Sequence, residues 1–385
     1  MGVAEKEILP LNSVSVRATA TEHHRRKAAF SFLKFFCTRL LPAYLFVYYA
    51  FGYSAKYILC RVSYLHHPRR YCTCDNICDT GVITTLPTHY TLPSGDQIPA
   101  VALGVWQASK GEVGQAVEAA LKSGYKHIDG AWRYANEAEV GQAIKNSGVP
   151  REELWLTSKL WNSFHAPEDV ESALDDTLNN LGTDYLDLYI IHWPIAFKKD
   201  STELDEALTA DPYPTWKKLE EMVDKGKVRN IGISNFNIPR VKNLTANPLK
   251  YQPAVNQVEL NYWNPQPELL EWSKEHGILL EAYSPLGSNT QVKDTLAIPE
   301  VREIARELGI TPAQVIISWH VQRGTVVLPK SVTPSRVEEN YHVYPLPDNL
   351  FRILEKKATA HPPQRVVNPS KAYNLSFDIF DDYPY

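Results

Sequence analysis

Cysteine runs out early in this chain. Of 385 residues only Cys37, Cys60, Cys72, Cys74 and Cys78 are cysteines, and none follows. Everything beyond Cys78 therefore lacks disulfides and thiolate metal sites, which excludes a disulfide scaffold and suits a reducing, cytoplasmic setting. A basic surplus is missing too: 40 Lys and Arg stand against 44 Asp and Glu, a formal charge of −4. That balance carries no electrostatic footprint for nucleic acid. A glycine-rich phosphate turn is also absent. Gly104-Val-Trp106, after the first apolar run of the C-terminal region, does not supply G-x-G-x-x-G, so a doubly wound dinucleotide fold is disfavoured.

Long apolar runs are equally scarce. Residues 29–62 are apolar and aromatic, but Lys34, Arg39, Lys56 and Arg61 punctuate them. The longest uncharged run there, Leu40 to Ala55, is sixteen residues with Pro42 and Gly52 inside it. A membrane-spanning helix needs about 20 apolar residues, and tyrosines suit an interface better than a hydrocarbon centre. Residues 1–84 therefore read as an extension with three open accounts: a marginal anchor through 29–62, a targeting segment, or translated sequence foreign to the rest. Arg17, Arg25 and Arg26 favour a transit peptide, and Glu5, Glu7 and Glu22 oppose it. With Met1 and Met222 as the only methionines, translation of the later region needs upstream sequence. Cys72-Thr-Cys-Asp-Asn-Ile-Cys78 matches no common zinc spacing and reads as a linker.

From residue 85 to the end the texture becomes alternation. Tyr90 to Pro99 has the pattern of a hairpin turning at Ser94-Gly-Asp96. Strands are expected at 101–105, 126–129, 154–159, 185–191, 228–233, 254–258, 278–282 and 325–328. Helices are expected at 111–123, 136–147, 168–181, 214–225, 238–246, 266–276 and 299–308. Leu186 to Ile191 and Val326 to Leu328 are apolar on both faces, as parallel strands under helices are. Eight strands alternating with helices predict an α/β fold, a (β/α)₈ TIM barrel preceded by a short hairpin.

Active sites of such barrels lie at the C-terminal strand ends. Asp129 ends the second strand, Tyr134 follows in its loop, Lys159 ends the third strand and His192 the fourth. Each alone is ordinary: a helix-capping Asp, a packing Tyr, a solvated Lys, a structural His. Together they suit acid-assisted hydride transfer. A phenol has a pKa of about 10, too high for an efficient acid, and a neighbouring ammonium lowers it. Asp129 can serve as the buried lysine's counter-ion, and His192 can orient a carbonyl oxygen. This chemistry calls for no metal.

Three segments carry a resemblance to a known family: Gly124 to Glu137, Leu181 to Pro194 and Val327 to Asn340. The chain resembles the aldo-keto reductases over residues 88–385. The resemblance implies that Tyr134 is the acid, that Lys159 and Asp129 tune it, and that His192 orients substrate. It further implies NADP(H) as cofactor. Lys330, Ser331, Val332, Thr333 and Arg336 would grip the 2′-phosphate, and Glu339 and Asn340 the adenine. Ser284, Leu286 and Ser288 would lie along the pyrophosphate. Tyr283 would stack on the nicotinamide, Ser234, Asn235 and Gln257 would hold its carboxamide, and Gly104, Val105 and Trp106 would approach it beside Asp129. Trp106 and Trp193 would wall the substrate pocket. Arg133 favours an anionic or polyhydroxylated substrate if it faces that pocket, and is a surface charge if it does not. The loop 195–213 and the tail 361–385 correspond to variable specificity loops.

The expected activity is reduction of a small aldehyde or ketone by a monomer. Polyol oxidation or sugar-acid reduction is an alternative within the family. A steroid double-bond reductase would carry glutamate where His192 stands. A non-catalytic nucleotide-sensing subunit is the reading from another class, and the complete catalytic set opposes it.

Overall fold

The computed structural model describes residues 85–380. The expectations for the 29–62 segment, the Cys72–Cys78 linker and the last five tail residues lie outside that range.

Strands β1 (His89–Thr91) and β2 (Gln97–Pro99) form the antiparallel hairpin. Eight parallel strands follow: β3 (Leu103–Gly104), β4 (His127–Asp129), β5 (Trp155–Leu160), β6 (Leu186–Ile191), β9 (Val228–Ser234), β10 (Val255–Glu259), β11 (Leu279–Tyr283) and β12 (Val326–Leu328). They neighbour one another in chain order. A parallel bridge between Val101 and Val327 closes the ring, with the Ala102 N–H donating to Val327 O at 2.9 Å and the Gly104 N–H to Pro329 O at 3.1 Å. Closure leaves the eight-stranded sheet without a free edge.

β5 and β6 are buried along their whole length, because one face meets helices and the other fills the barrel. Leu92 and Ile98 of the hairpin cluster with Trp155, Leu188, Ile190, Val255 and Leu328. That layer plugs the barrel, so only the opposite end opens.

Helices pack outside the sheet. Helix α1 (Glu112–Ser123) buries Val113, Ala116, Val117, Ala120 and Leu121 at helical spacing and stops at Gly124, where φ is +101°. Helix α2 (Glu137–Ser147) touches helix α3 (Pro167–Leu181) through Gly141, where a Cβ would sit 2.4 Å from Leu181 O.

Two differences from the sequence expectation are physical. Residues 195–213 are not a plain loop. β7 (Ala196–Phe197) pairs with β8 (Leu204–Asp205), and Asp205 caps the short helix α4 (Glu206–Ala210) by accepting from the Leu208 N–H at 3.0 Å. The second is a helix at Pro312–Arg323, opened by a Thr311–Gln314 capping box. It is buried on nearly every side, so it shows little amphipathic stripe to read. Among the described residues no helix is long and apolar enough to cross a membrane, and no group of three His, Cys, Asp or Glu could hold a metal.

Candidate active site

Strand alternation builds the site. Successive side chains point to opposite faces, so the barrel-facing series run Trp155, Thr157, Lys159 on β5 and Leu188, Ile190, His192 through the end of β6. They run Val255, Gln257, Glu259 on β10 and Leu279, Glu281, Tyr283 on β11. Each begins apolar in the plug and ends polar at the open end. The intervening residues Leu156 and Leu160, Tyr189 and Ile191, and Val258 and Leu280 pack under helices.

Lys159 is buried, and its Nζ donates to Asp129 Oδ1 and to Gly130 O, both at 2.7 Å. Burial alone would lower the lysine pKa, but the Asp129 and Tyr134 charges and the hydrogen bond to Asp129 hold it above its ordinary value. The ammonium lies 5.1 Å from the centroid of the Tyr134 ring. Tyr134 sits on a 3₁₀ turn, Trp132–Tyr134, ended by Ala135 at φ +54°. Burial raises the Tyr134 pKa; Lys159 opposes that and Asp129 adds to it, leaving it above the ordinary phenol value. The direction corrects the expectation from charge alone, because the low-dielectric setting outweighs the ammonium.

His192 meets the Tyr134 ring edge-on at 5.7 Å between centroids. Burial, then the charges of Lys159, His165 and Arg133, hold its pKa well below the ordinary value, so the imidazole is neutral. Its Nδ1 is buried without a partner among the described residues, which leaves Nε2 to serve a substrate. A neutral imidazole donates a hydrogen bond but is no proton source at neutral pH, whereas the phenol is protonated there.

Beneath this group lies an acidic layer. Gln257 Nε2 donates to Asp129 Oδ2 at 2.7 Å and to Glu281 Oε2 at 3.1 Å. Burial, with the Asp129 charge adding, pushes the Glu281 carboxyl up to about 8.

The open end forms a cavity of about 450 Å³ lined by Asp129, Tyr134, His192 and Gln257, with Lys159 behind them. On one side Tyr283 Oη donates to Asn235 Oδ1 at 2.8 Å, and Asn235 Nδ2 donates to His192 O at 2.9 Å. Ser234 Oγ donates to Gln257 O at 2.7 Å. Asn235, Ser284 and Ser288 all adopt positive φ, shaping a trough that Leu286 and Gly104 also line. Lys330 reaches it and donates to Gln107 O at 3.1 Å.

Ser331, Val332, Thr333 and Arg336 lie beyond the cavity around the start of the helix Pro334–Tyr341, with Thr333 and Arg336 exposed. Glu339 accepts from Thr311 Oγ1 at 2.7 Å, and Asn340 is buried. Val105 packs in the core and its carbonyl accepts from Asn136 Nδ2. Cationic side chains of Lys330 and Arg336 near a helix start, a trough and a phenol wall together fit a phosphorylated dinucleotide.

The opposite wall is aromatic. Trp106, Trp193 and Arg133 line the cavity. Trp161, Val367, Pro369 and Tyr373 also line it. Sequence reasoning missed these four by name. Trp161 stands two residues past Lys159, which is a usable signal. The tail residues are brought in by Glu259, whose carboxylate accepts from the Val366 and Val367 N–H groups at 2.9 and 2.7 Å, a contact with no local signature.

Residues 100–359 match the Aldo/keto reductase family. The chain is 42% identical over 291 residues to a glycerol 2-dehydrogenase (NADP(+)) of Hypocrea jecorina, covering 70% of this chain and 91% of that one. It is 41% identical to an aldehyde reductase of Saccharomyces cerevisiae, covering 75% and 96%. Among solved structures, an aldose reductase from Schistosoma japonicum shares 38% identity with a TM-score of 0.69, covering 75% of this chain and 97% of that one. The chain belongs to the aldo-keto reductase family and is an NADP(H)-dependent oxidoreductase.

Proposed function

We propose that this enzyme interconverts a small aldehyde or ketone and its alcohol, with Tyr134 as the acid in reduction and the base in oxidation. The observation that carries this is the contact of Tyr134 with the buried Lys159–Asp129 pair at the cavity floor, beside a neutral His192. Bound nicotinamide supplies or takes the hydride at the carbonyl carbon. The chain's residues do the rest. His192 Nε2–H holds the carbonyl oxygen beside the Tyr134 hydroxyl. As the oxygen gains negative charge Tyr134 passes it a proton, and the Lys159 ammonium stabilises the phenolate left behind. Asp129 keeps that ammonium charged and in place, and the tryptophans exclude water.

Tyr283, Ser234, Asn235 and Gln257 would hold the nicotinamide, Ser284, Leu286 and Ser288 the pyrophosphate, and Lys330 with Ser331 and Arg336 the 2′-phosphate. Polyol oxidation is the same reaction reversed, and the relatives named glycerol 2-dehydrogenase favour including it. The test is NADPH oxidation with DL-glyceraldehyde by wild type and Tyr134→Phe. A loss of at least a hundredfold in kcat, within the usual range for a general acid, is expected; equal rates refute the assignment. We also propose a cytoplasmic monomer. Among the described residues the exposed large apolar side chains are only Trp106, Tyr344 and Ile353, too few for an apolar patch. Sedimentation and imaging test this.

A further inference from the structure

Arg133 is the unexplained charge at this site. Its neighbours on the same turn have partners: Trp132 Nε1 donates to Asp176 Oδ2 at 2.6 Å, and Tyr134 faces Lys159. Arg133 is exposed, lines the cavity, and has no carboxylate or hydrogen-bond partner among the described residues. Its one fixed contact is the face of Trp161, 5.3 Å from guanidinium carbon to ring centroid. That indole lies with its own centroid 5.3 Å from the His192 ring. A single indole therefore separates the guanidinium from the group that orients the reacting carbonyl. Among the described residues the one carboxylate lining the cavity, Asp129, is already paired with Lys159.

We propose that Arg133 is a specificity determinant that binds a carboxylate on the substrate, so that the preferred substrates are carbonyl compounds bearing one acid group about an indole's breadth from the carbonyl. The contact with the Trp161 face restrains the guanidinium, and its N–H donors have no partner among the described residues. A planar fork of N–H donors matches the two oxygens of a carboxylate, and holding it in place beforehand cuts the ordering cost of binding. One guanidinium neutralises one negative charge. A phosphomonoester carries close to two at neutral pH, and among the described residues Lys330, the other cation lining the cavity, already donates to Gln107 O. The inference rests on the carbonyl-reductase reading and adds the substrate class to it.

The experiment compares D-glucuronate with its neutral isostere D-glucuronamide. Both have an aldehyde in the open-chain form and differ in one charge. Glyceraldehyde 3-phosphate is the phosphate arm and DL-glyceraldehyde the neutral reference. Wild type is expected to prefer glucuronate over glucuronamide in kcat/KM by tenfold or more, mostly through KM. In Arg133→Gln that ratio falls toward one, and Arg133→Lys keeps part of it because the charge remains without the fork. Raising the salt concentration should shrink the wild-type ratio and leave the Arg133→Gln ratio flat. A wild-type ratio near one, an equal loss on both substrates in Arg133→Gln, or a stronger preference for the phosphate overturns the proposal while reduction of DL-glyceraldehyde upholds the reaction itself. No oxidation of NADPH with any probe overturns both.

Discussion

The buried pair Lys159–Asp129 lends itself to a double-mutant cycle that separates its structural from its chemical role. Both side chains are almost fully buried and 2.7 Å apart, and Asp129 is held again by Gln257 at 2.7 Å. Lys159→Met leaves the Asp129 carboxylate with one neutral donor in a low-dielectric site, next to Glu281. Removing one partner of a buried ion pair costs about 3–5 kcal/mol, whereas replacing both costs little or stabilises. Lys159→Met and Asp129→Asn should each lose about that much. The double variant, with a neutral amide beside an apolar chain, should recover most of it. The coupling energy should therefore exceed roughly 2 kcal/mol. Activity should not follow. Lys159 is the cause that lowers the Tyr134 pKa against burial, so without it the phenolate formed in the transition state loses its counter-charge. Every variant lacking Lys159 should lose at least a hundredfold in kcat, the double included. Urea unfolding followed by fluorescence gives the stabilities, and single-turnover NADPH oxidation gives the chemistry. Additive destabilisation, or recovered activity in the double variant, would refute the reasoning.

Other consequences concern pH and the pocket wall. Burial holds His127, His165 and His320 down to about 3. They are neutral in the folded state and take protons when unfolded below the ordinary value of 6.5, so their contribution is fully present above about 6.5. It is lost between 6.5 and 3, by roughly 1 kcal/mol per pH unit for each histidine. Urea midpoints should thus fall steeply from pH 7 to pH 5, and flat midpoints would contradict the buried neutral state. Glu259→Gln weakens charge-assisted bonds to the Val366 and Val367 N–H groups, each worth about 1.5–3 kcal/mol. The carbonyl KM should rise roughly tenfold with a smaller change in kcat, and an unchanged KM would detach Glu259 from the wall that Val367, Pro369 and Tyr373 form.

Much of the molecule follows from local pattern. Parallel strands show as runs apolar on both faces because each is covered twice, and His192 is legible as a polar residue that follows such a run, whereas Asp129 and Lys159 are legible from their places near the C-terminal ends of short strands. The resemblance to a family added roles for the cofactor residues that spacing alone leaves open. The fully buried helix Pro312–Arg323 lacked a polar face to betray it, and the hairpin within 195–213 depends on a pairing of two residues per strand, too short for a pattern.

Sequence by itself thus determined the strand order and the barrel, which rest on periodicity of 2 and 3.6, and placed Asp129, Tyr134, Lys159 and His192 at or just past successive strand ends. Only tertiary structure decided the rest. That Tyr134 is held above rather than below its ordinary pKa depends on the amount of solvent removed around it, which no local motif encodes. That Arg133 lies against Trp161 at the cavity rim, and that Tyr373 lines the same cavity as Tyr134, depends on contacts between residues far apart in the chain, which exist only once the barrel has closed.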